Sequence, residues 1–161
     1  MGIATFPAAS AASKTRYVVT LTSGTSWTVP TSVTYVNATL YGGGGGGGAG
    51  NSASTVAGQF GHGGCVIATN VTTTPGASIT YAIGSGGNGG TSQNHGSVGG
   101  TTTFTGATSA AGGSGGTGGA AASGGQTGTA GASANNGGGG GSNNNSGGTG
   151  GAGKIELEYW L

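Results

Sequence analysis

Residues 27–48, WTVPTSVTYVNATLYGGGGGGG, decide how the rest of the chain is read. The first half leaves a Pro30 turn and places Val36, Ala38 and Leu40 on one face, the alternation of a half-buried β-strand. The second half is seven consecutive glycines, a run that no ordinary strand or helix tolerates. A small conventional core therefore ends at Tyr41, and a different kind of structure begins at Gly42.

Outward from this stretch, strands are predicted over 17–22, 26–29, 33–41, 65–71, 78–83, 101–104 and 154–161. Tyr17, Val19 and Leu21 share one face of the first. Ile155, Leu157, Tyr159 and Leu161 share one face of the last, where alternation is strict. Pro75-Gly76 marks a turn between two strands. These segments hold nearly all the large apolar residues. They predict a small antiparallel β-sandwich with the terminal strand returning to join the first ones, and essentially no α-helix. Residues 1–16, with Pro7 and an Ala/Ser run, read as an N-terminal arm. Residues 17–161 read as one glycine-rich domain.

Between the strands, glycine recurs in threes. Residues 86–91 read GGNGGT, 112–120 read GGSGGTGGA, and 147–152 read GGTGGA; 125–133 carry a related G-x-x pattern. A period of three matches an extended left-handed helix with three residues per turn and about 3.1 Å rise. GGx then gives two bare faces and one decorated face. Bare faces let neighbouring backbones approach and hydrogen-bond laterally, helped by Cα–H···O contacts. Collagen is a poor alternative because the three prolines lie outside the repeats. The expectation is a bundle of polyglycine II-type helices, roughly six to ten passes, grown from the β core. The competing reading is a floppy glycine-rich excursion, since loop closure costs little more as loops lengthen.

Charge is almost absent. Lys14, Arg16, Lys154, Glu156 and Glu158 are the only charged residues, the formal net charge is +1, and there is no Asp. Nothing here resembles the basic patch that nucleic acid requires. The single Cys65 cannot form an intramolecular disulfide. No apolar run approaches a transmembrane helix. The N-terminal residues lack a signal-peptide pattern, so synthesis and assembly in a cytoplasm are expected.

Catalytic motifs have little raw material. The glycine-rich phosphate and dinucleotide patterns arise from the repeats themselves and lack the strand–helix unit that gives them meaning. GGSGG at 112–116 formally matches a nucleophile elbow but is a piece of the repeat. Both glutamates sit in the last strand, so a Ser-His-acid triad has no evident source. His62, His95 and Cys65 are potential metal ligands, yet one His-x-x-Cys spacing does not make a site. The reading is a non-enzyme with no cofactor and no metal. Asn-x-Thr/Ser patterns at Asn37, Asn70 and Asn144 carry weight only in a secreted chain.

The informative side chains are those interrupting the glycine arrays: Phe60 and His62, Asn94 and His95, Asn135 and Asn136, and Asn143, Asn144 and Asn145. In a bundle they fall at the turns, and loops on a rigid scaffold are the usual seat of recognition. The alternative is that Asn and Gly simply make good turns.

The order of these motifs resembles the glycine-rich domain of bacteriophage tail fibre and tail tip proteins. Trp27–Pro30 matches its W-x-V-P turn, 41–48 its polyglycine-terminated strand, Pro75-Gly76 its second turn, and 84–90 its G-x-G-G-x-G-G end. The similarity covers about residues 17–153. The chain is also similar to the polyglycine-helix adhesins at the tips of T-even-like long tail fibres. These resemblances imply a virion protein made in the host cytoplasm and assembled as a homo-oligomer, a trimer being favoured. It would partner other tail or fibre subunits and a host-surface glycan or outer-membrane protein. Phe60, His62, Asn94, His95, Asn135, Asn136, Asn143, Asn144 and Asn145 would be receptor contacts, and Lys14 and Arg16 the virion attachment. Alternatives are capsid decoration, a purely structural virion role, and the glycine-rich ice-binding proteins of snow fleas.

Overall fold

The computed structural model describes residues 14–50, 61–62, 64, 66–92, 94–118 and 146–161. Seven strands form: β1 (Arg16–Leu21), β2 (Ser26–Thr28), β3 (Tyr35–Tyr41), β4 (Val66–Thr72), β5 (Ser78–Ala82), β6 (Thr103–Phe104) and β7 (Lys154–Trp160). Every predicted strand is present, with ends shifted by a residue or two. Residues 33–34 are the main difference: the Val33 N–H closes a turn on the Pro30 carbonyl at 3.2 Å, so β3 starts at Tyr35. No helix occurs among the described residues.

The strands make two antiparallel sheets, β1-β7-β3-β4 and β2-β5-β6. The terminal strand β7 inserts between β1 and β3, with Leu157 opposite both Val19 and Ala38. Alternation then does what the sequence requires. Val36, Ala38, Leu40, Ile155, Leu157 and Tyr159 point inward and are buried, meeting Val29, Tyr81 and Phe104 of the facing layer. Trp27 seals one side, its ring centroid 5.9 Å from that of Tyr159 and 6.4 Å from that of Phe104. Leu161 departs from the expected face: it lies past the end of β7, exchanges backbone hydrogen bonds with Thr15, and is exposed. At Pro75-Gly76 the turn needs φ +78° at its second residue, a conformation open to glycine.

The described glycine-rich segments form ordered passes rather than a floppy loop. Six are described: pass 1 (42–49), pass 2 (61, 62 and 64), pass 3 (84–91), pass 4 (94–101), pass 5 (111–118) and pass 6 (146–153). Pass 1 is central and buried throughout. Its donors rotate with a period of three. Gly43, Gly46 and Ala49 donate to pass 4, Gly44 and Gly47 to pass 6, and Gly45 to pass 2. Its carbonyls do likewise, Gly43 and Gly46 accepting from pass 5, Gly44 and Gly47 from pass 3. That 120° step per residue is the polyglycine II helix. Neighbours also bond to one another, in the order 6–3–4–5–2 around the centre.

The side-chain pattern follows. Ser85, Asn88 and Thr91 of pass 3, and Ala111, Ser114 and Thr117 of pass 5, are exposed, while the glycines between them are covered. A Cβ added at Gly46 would fall on the Asn88 carbonyl, and one at Gly115 on the Gly96 carbonyl. Bare rows are thus a condition of the spacing.

Thr102 joins the two regions. Wholly buried, it donates from Oγ1 to the Tyr41 carbonyl at 2.7 Å and accepts from the Gly84 N–H at 2.9 Å. These are the points where β3 becomes pass 1 and β5 becomes pass 3. All six passes are rooted at this one end of the core. Arg16, opposite Trp160, opens β1 at the other end.

Candidate functional site

Two surfaces carry side chains with chemistry: the bundle end remote from the core, and the outer face of the four-stranded sheet. At the bundle end, passes 3 and 4 are joined by a tight turn. The Asn94 N–H donates to the Thr91 carbonyl at 3.0 Å, and Ser92 takes φ +47°. Asn94 and His95 are exposed beside it. His95 Nδ1 accepts from the Gly118 N–H at 3.1 Å, tying pass 4 to the end of pass 5.

His62 is not in a turn. It lies within pass 2, where its carbonyl accepts from Gly45 and its N–H donates to the Ser114 carbonyl. Its Nδ1 is 2.9 Å from Ser114 Oγ. Both histidines therefore flank pass 5, from opposite sides. Phe60, Asn135, Asn136, Asn143, Asn144 and Asn145 lie outside the described residues, as does Cys65. Among the described residues no group of three or more His, Cys, Asp or Glu comes together.

At the other end, Lys14 is exposed. Arg16 belongs to β1 rather than to an arm, because its backbone pairs with Trp160 and its guanidinium forms an ion pair with Glu158. The arm boundary at residue 16 accordingly moves back into the residues before the strand.

The outer face of the four-stranded sheet was hardly marked in the sequence. Alternation that turns apolar residues inward turns the intervening ones outward, and these include Arg16, Lys154, Glu156 and Glu158. Across the sheet, Glu158 lies opposite Val18 and Asn37, and Asn37 opposite Asn70. The Arg16 hydrogen bond holds the Glu158 carboxyl below its usual range, and Asn37 adds to this. Nearer the bundle, Lys154 Nζ sits 2.6 Å from Glu156 and 4.6 Å from the centre of the Tyr41 ring. Tyr41 donates to Glu156 at 3.0 Å. The Lys154 hydrogen bond lowers the Glu156 pKa, whereas burial first, then Glu156, raises that of the Tyr41 phenol.

Small residues at Ala68 and Thr39 leave a shallow basin of about 400 Å³ on this face, walled by Asn37, Asn70 and Glu158. Two residues further along β3 and β7, on the same face, Tyr35 and Trp160 pair their rings, centroids 6.4 Å apart. A second depression, beside β5 and β6, presents threonine hydroxyls that bond to each other, Thr80 to Thr105 at 2.8 Å. The sequence signal for the first basin was the pair of Asn-x-Thr patterns; only strand register makes Asn37 and Asn70 neighbours.

A comparison with curated proteins finds no match. A family model described as a glycine-rich domain matches residues 20–156, from within β1 to within β7, and so takes in both sheets and every described pass. This chain belongs to that glycine-rich domain family.

Proposed function

We propose that this chain is a bacteriophage virion protein, a tail fibre or tail tip component that contributes to host-surface attachment by non-enzymatic binding. The supporting observation is polarity. Passes of eight residues extend about 25 Å at the polyglycine rise, all from one end of the core, while β1 begins at the other. One end presents the 91–94 turn with Asn94 and His95; the other presents Lys14 and the start of β1. Such a unit holds recognition turns away from an anchored base. The W-x-V-P and Pro-Gly motifs that resemble phage tail glycine-rich domains occupy the two turns of the anchored half.

In this reading several copies, favoured as a trimer, assemble on the virion after synthesis in the host cytoplasm. A surface almost free of charge offers little repulsion between copies. Attachment runs through the end that carries Lys14 and Arg16, and the partners are other tail subunits and a host glycan or outer-membrane protein. One observation favours a second reading, as a structural or decorating subunit. The 91–94 turn is short, bonded to itself, and bears no aromatic side chain among its described residues.

Mass spectrometry of purified particles tests the assignment, and adsorption to host cells separates the two readings. Particles are expected to contain the chain, to lose it when residues 1–13 are deleted, and to adsorb poorly with Ala at both Asn94 and His95. Incorporation of the truncated chain overturns the attachment end. Normal adsorption of the Ala variant leaves the structural role and removes the receptor contact.

A further inference from the structure

We propose that the basin on the outer face of the four-stranded sheet binds a neutral sugar. This site is separate from the bundle-end turns, and the proposal does not depend on them.

The outer face brings two amides and a carboxylate onto neighbouring strands. Asn37 and Asn70 lie directly opposite each other on β3 and β4, and Glu158 lies opposite Asn37 on β7. Each amide offers both donors and an acceptor; Asn37 already donates to Glu158, whose carboxylate also accepts from Arg16. A polyhydroxylated ring is complementary to that mixture because each hydroxyl donates one hydrogen bond and accepts others. Two ion pairs, Arg16–Glu158 and Lys154–Glu156, close the face electrostatically. Arg16 and Lys154, the cations borne by the strands of this face, are thus both already paired.

Shape agrees with chemistry. The volume of about 400 Å³ lies within the range of small-ligand sites. Ala68 and Thr39 keep the floor low. Tyr35, 51% exposed, and Trp160 form a tilted aromatic pair one same-face step along β3 and β7 from Asn37 and Glu158. That step is about 7 Å. A pyranose ring laid on the aromatic pair by its C–H face would direct its hydroxyls toward Asn37, with Asn70 on the next strand. Exposed aromatic faces of this kind serve as apolar platforms with a polar edge.

The test titrates the full chain with methyl glycosides of glucose, galactose, mannose and N-acetylglucosamine, and with glucuronic acid as an anionic control, at millimolar concentrations. Nitrogen–proton correlation spectra follow the side-chain amides of Asn37 and Asn70 and the Trp160 indole. At least one neutral glycoside is expected to shift these signals saturably, and glucuronic acid to do so more weakly. Asn37→Ala with Asn70→Ala should weaken binding roughly tenfold or more, as loss of hydrogen bonds to two side chains implies. Ala68→Leu fills the floor while leaving both amides, and should abolish the shifts with the thermal midpoint unchanged. No saturable shift with any neutral glycoside overturns the proposal. So do shifts that persist in Ala68→Leu, or that appear at Asn94 and His95 instead; the last result would favour the bundle-end reading.

Discussion

The β core and the glycine bundle are held together in opposite ways. In the core, side chains supply the contact: Leu40, Ile155, Leu157 and Phe104 are fully buried, and apolar burial drives association. In the bundle, the absence of side chains is the contact. Gly44 donates to Gly151 and accepts from Gly87, so both of its polar groups are used. Net worth near 1 kcal/mol per hydrogen bond roughly offsets a backbone entropy cost of about 1–2 kcal/mol per residue only when both groups are paired. A bundle of this kind therefore gains from a fully surrounded central pass, and pass 1 is that element. The core tolerates gaps in backbone pairing at its edges, where water serves; the centre of the bundle does not.

This contrast can be broken most severely at the centre. Gly46→Val places a Cβ on the Asn88 carbonyl, with backbone on both sides and nothing flexible to yield. A loss of about 4–5 kcal/mol or more is expected, against about 0.5 kcal/mol or less for Thr149→Val on the exposed row. Chemical denaturation of the two variants measures both. Similar losses would mean that the bare and decorated faces are wrongly assigned.

A smaller effect is expected in the core. Leu157→Ala should cost about 2–5 kcal/mol through lost burial and a residual cavity. Its use lies in coupling. Thr102 fixes Tyr41 and Gly84 together, so bundle and core should unfold in one transition. Amide exchange at Gly44 and Gly47 should accelerate along with that at Leu40. If exchange rises only in the strands, the two regions are independent units and the role of Thr102 is local.

The smallest expected effect lies on the outer face. Glu156 has a lowered pKa in the folded state, principally through Lys154. A depressed carboxylate pKa stabilises the fold above the unfolded value, and that stabilisation is lost as pH falls through the folded value. Lys154, raised by the same bond, remains charged throughout this range. Partly exposed pairs contribute at most about 1 kcal/mol, and screening lowers this further. The acid limb of a stability–pH curve, below about pH 5, should therefore be shallower in Glu156→Gln. An unchanged limb would show that the pair adds nothing measurable.

Much of the architecture was legible in the sequence. Two-residue alternation gave the inward faces of β3 and β7, and three-residue glycine periodicity gave the passes, because both patterns are local consequences of backbone geometry. The Pro75-Gly76 turn was legible for the same reason. The start of β3 was not, since the Val33–Pro30 turn competes with an apolar pattern that continues through it.

The candidate sites divide along the same line. Asn94 closes the 91–94 turn where the glycine repeat breaks, while His95 already lies at the start of pass 4. His62, marked by the same kind of break, proved to sit inside a pass, since a decorated residue in a three-fold helix is as much at home on an outward face as in a turn. Arg16 looked like part of an arm until strand pairing gave it Glu158, a partner 142 residues away. By itself the sequence determined which residues carry side chains and which faces stay bare. Only the tertiary structure decided who stands beside whom: pass 1 at the centre, Thr102 at the junction, and Asn37 beside Asn70 and Glu158. Those adjacencies follow from strand order and register, which are set by long-range pairing and leave no mark in any local window.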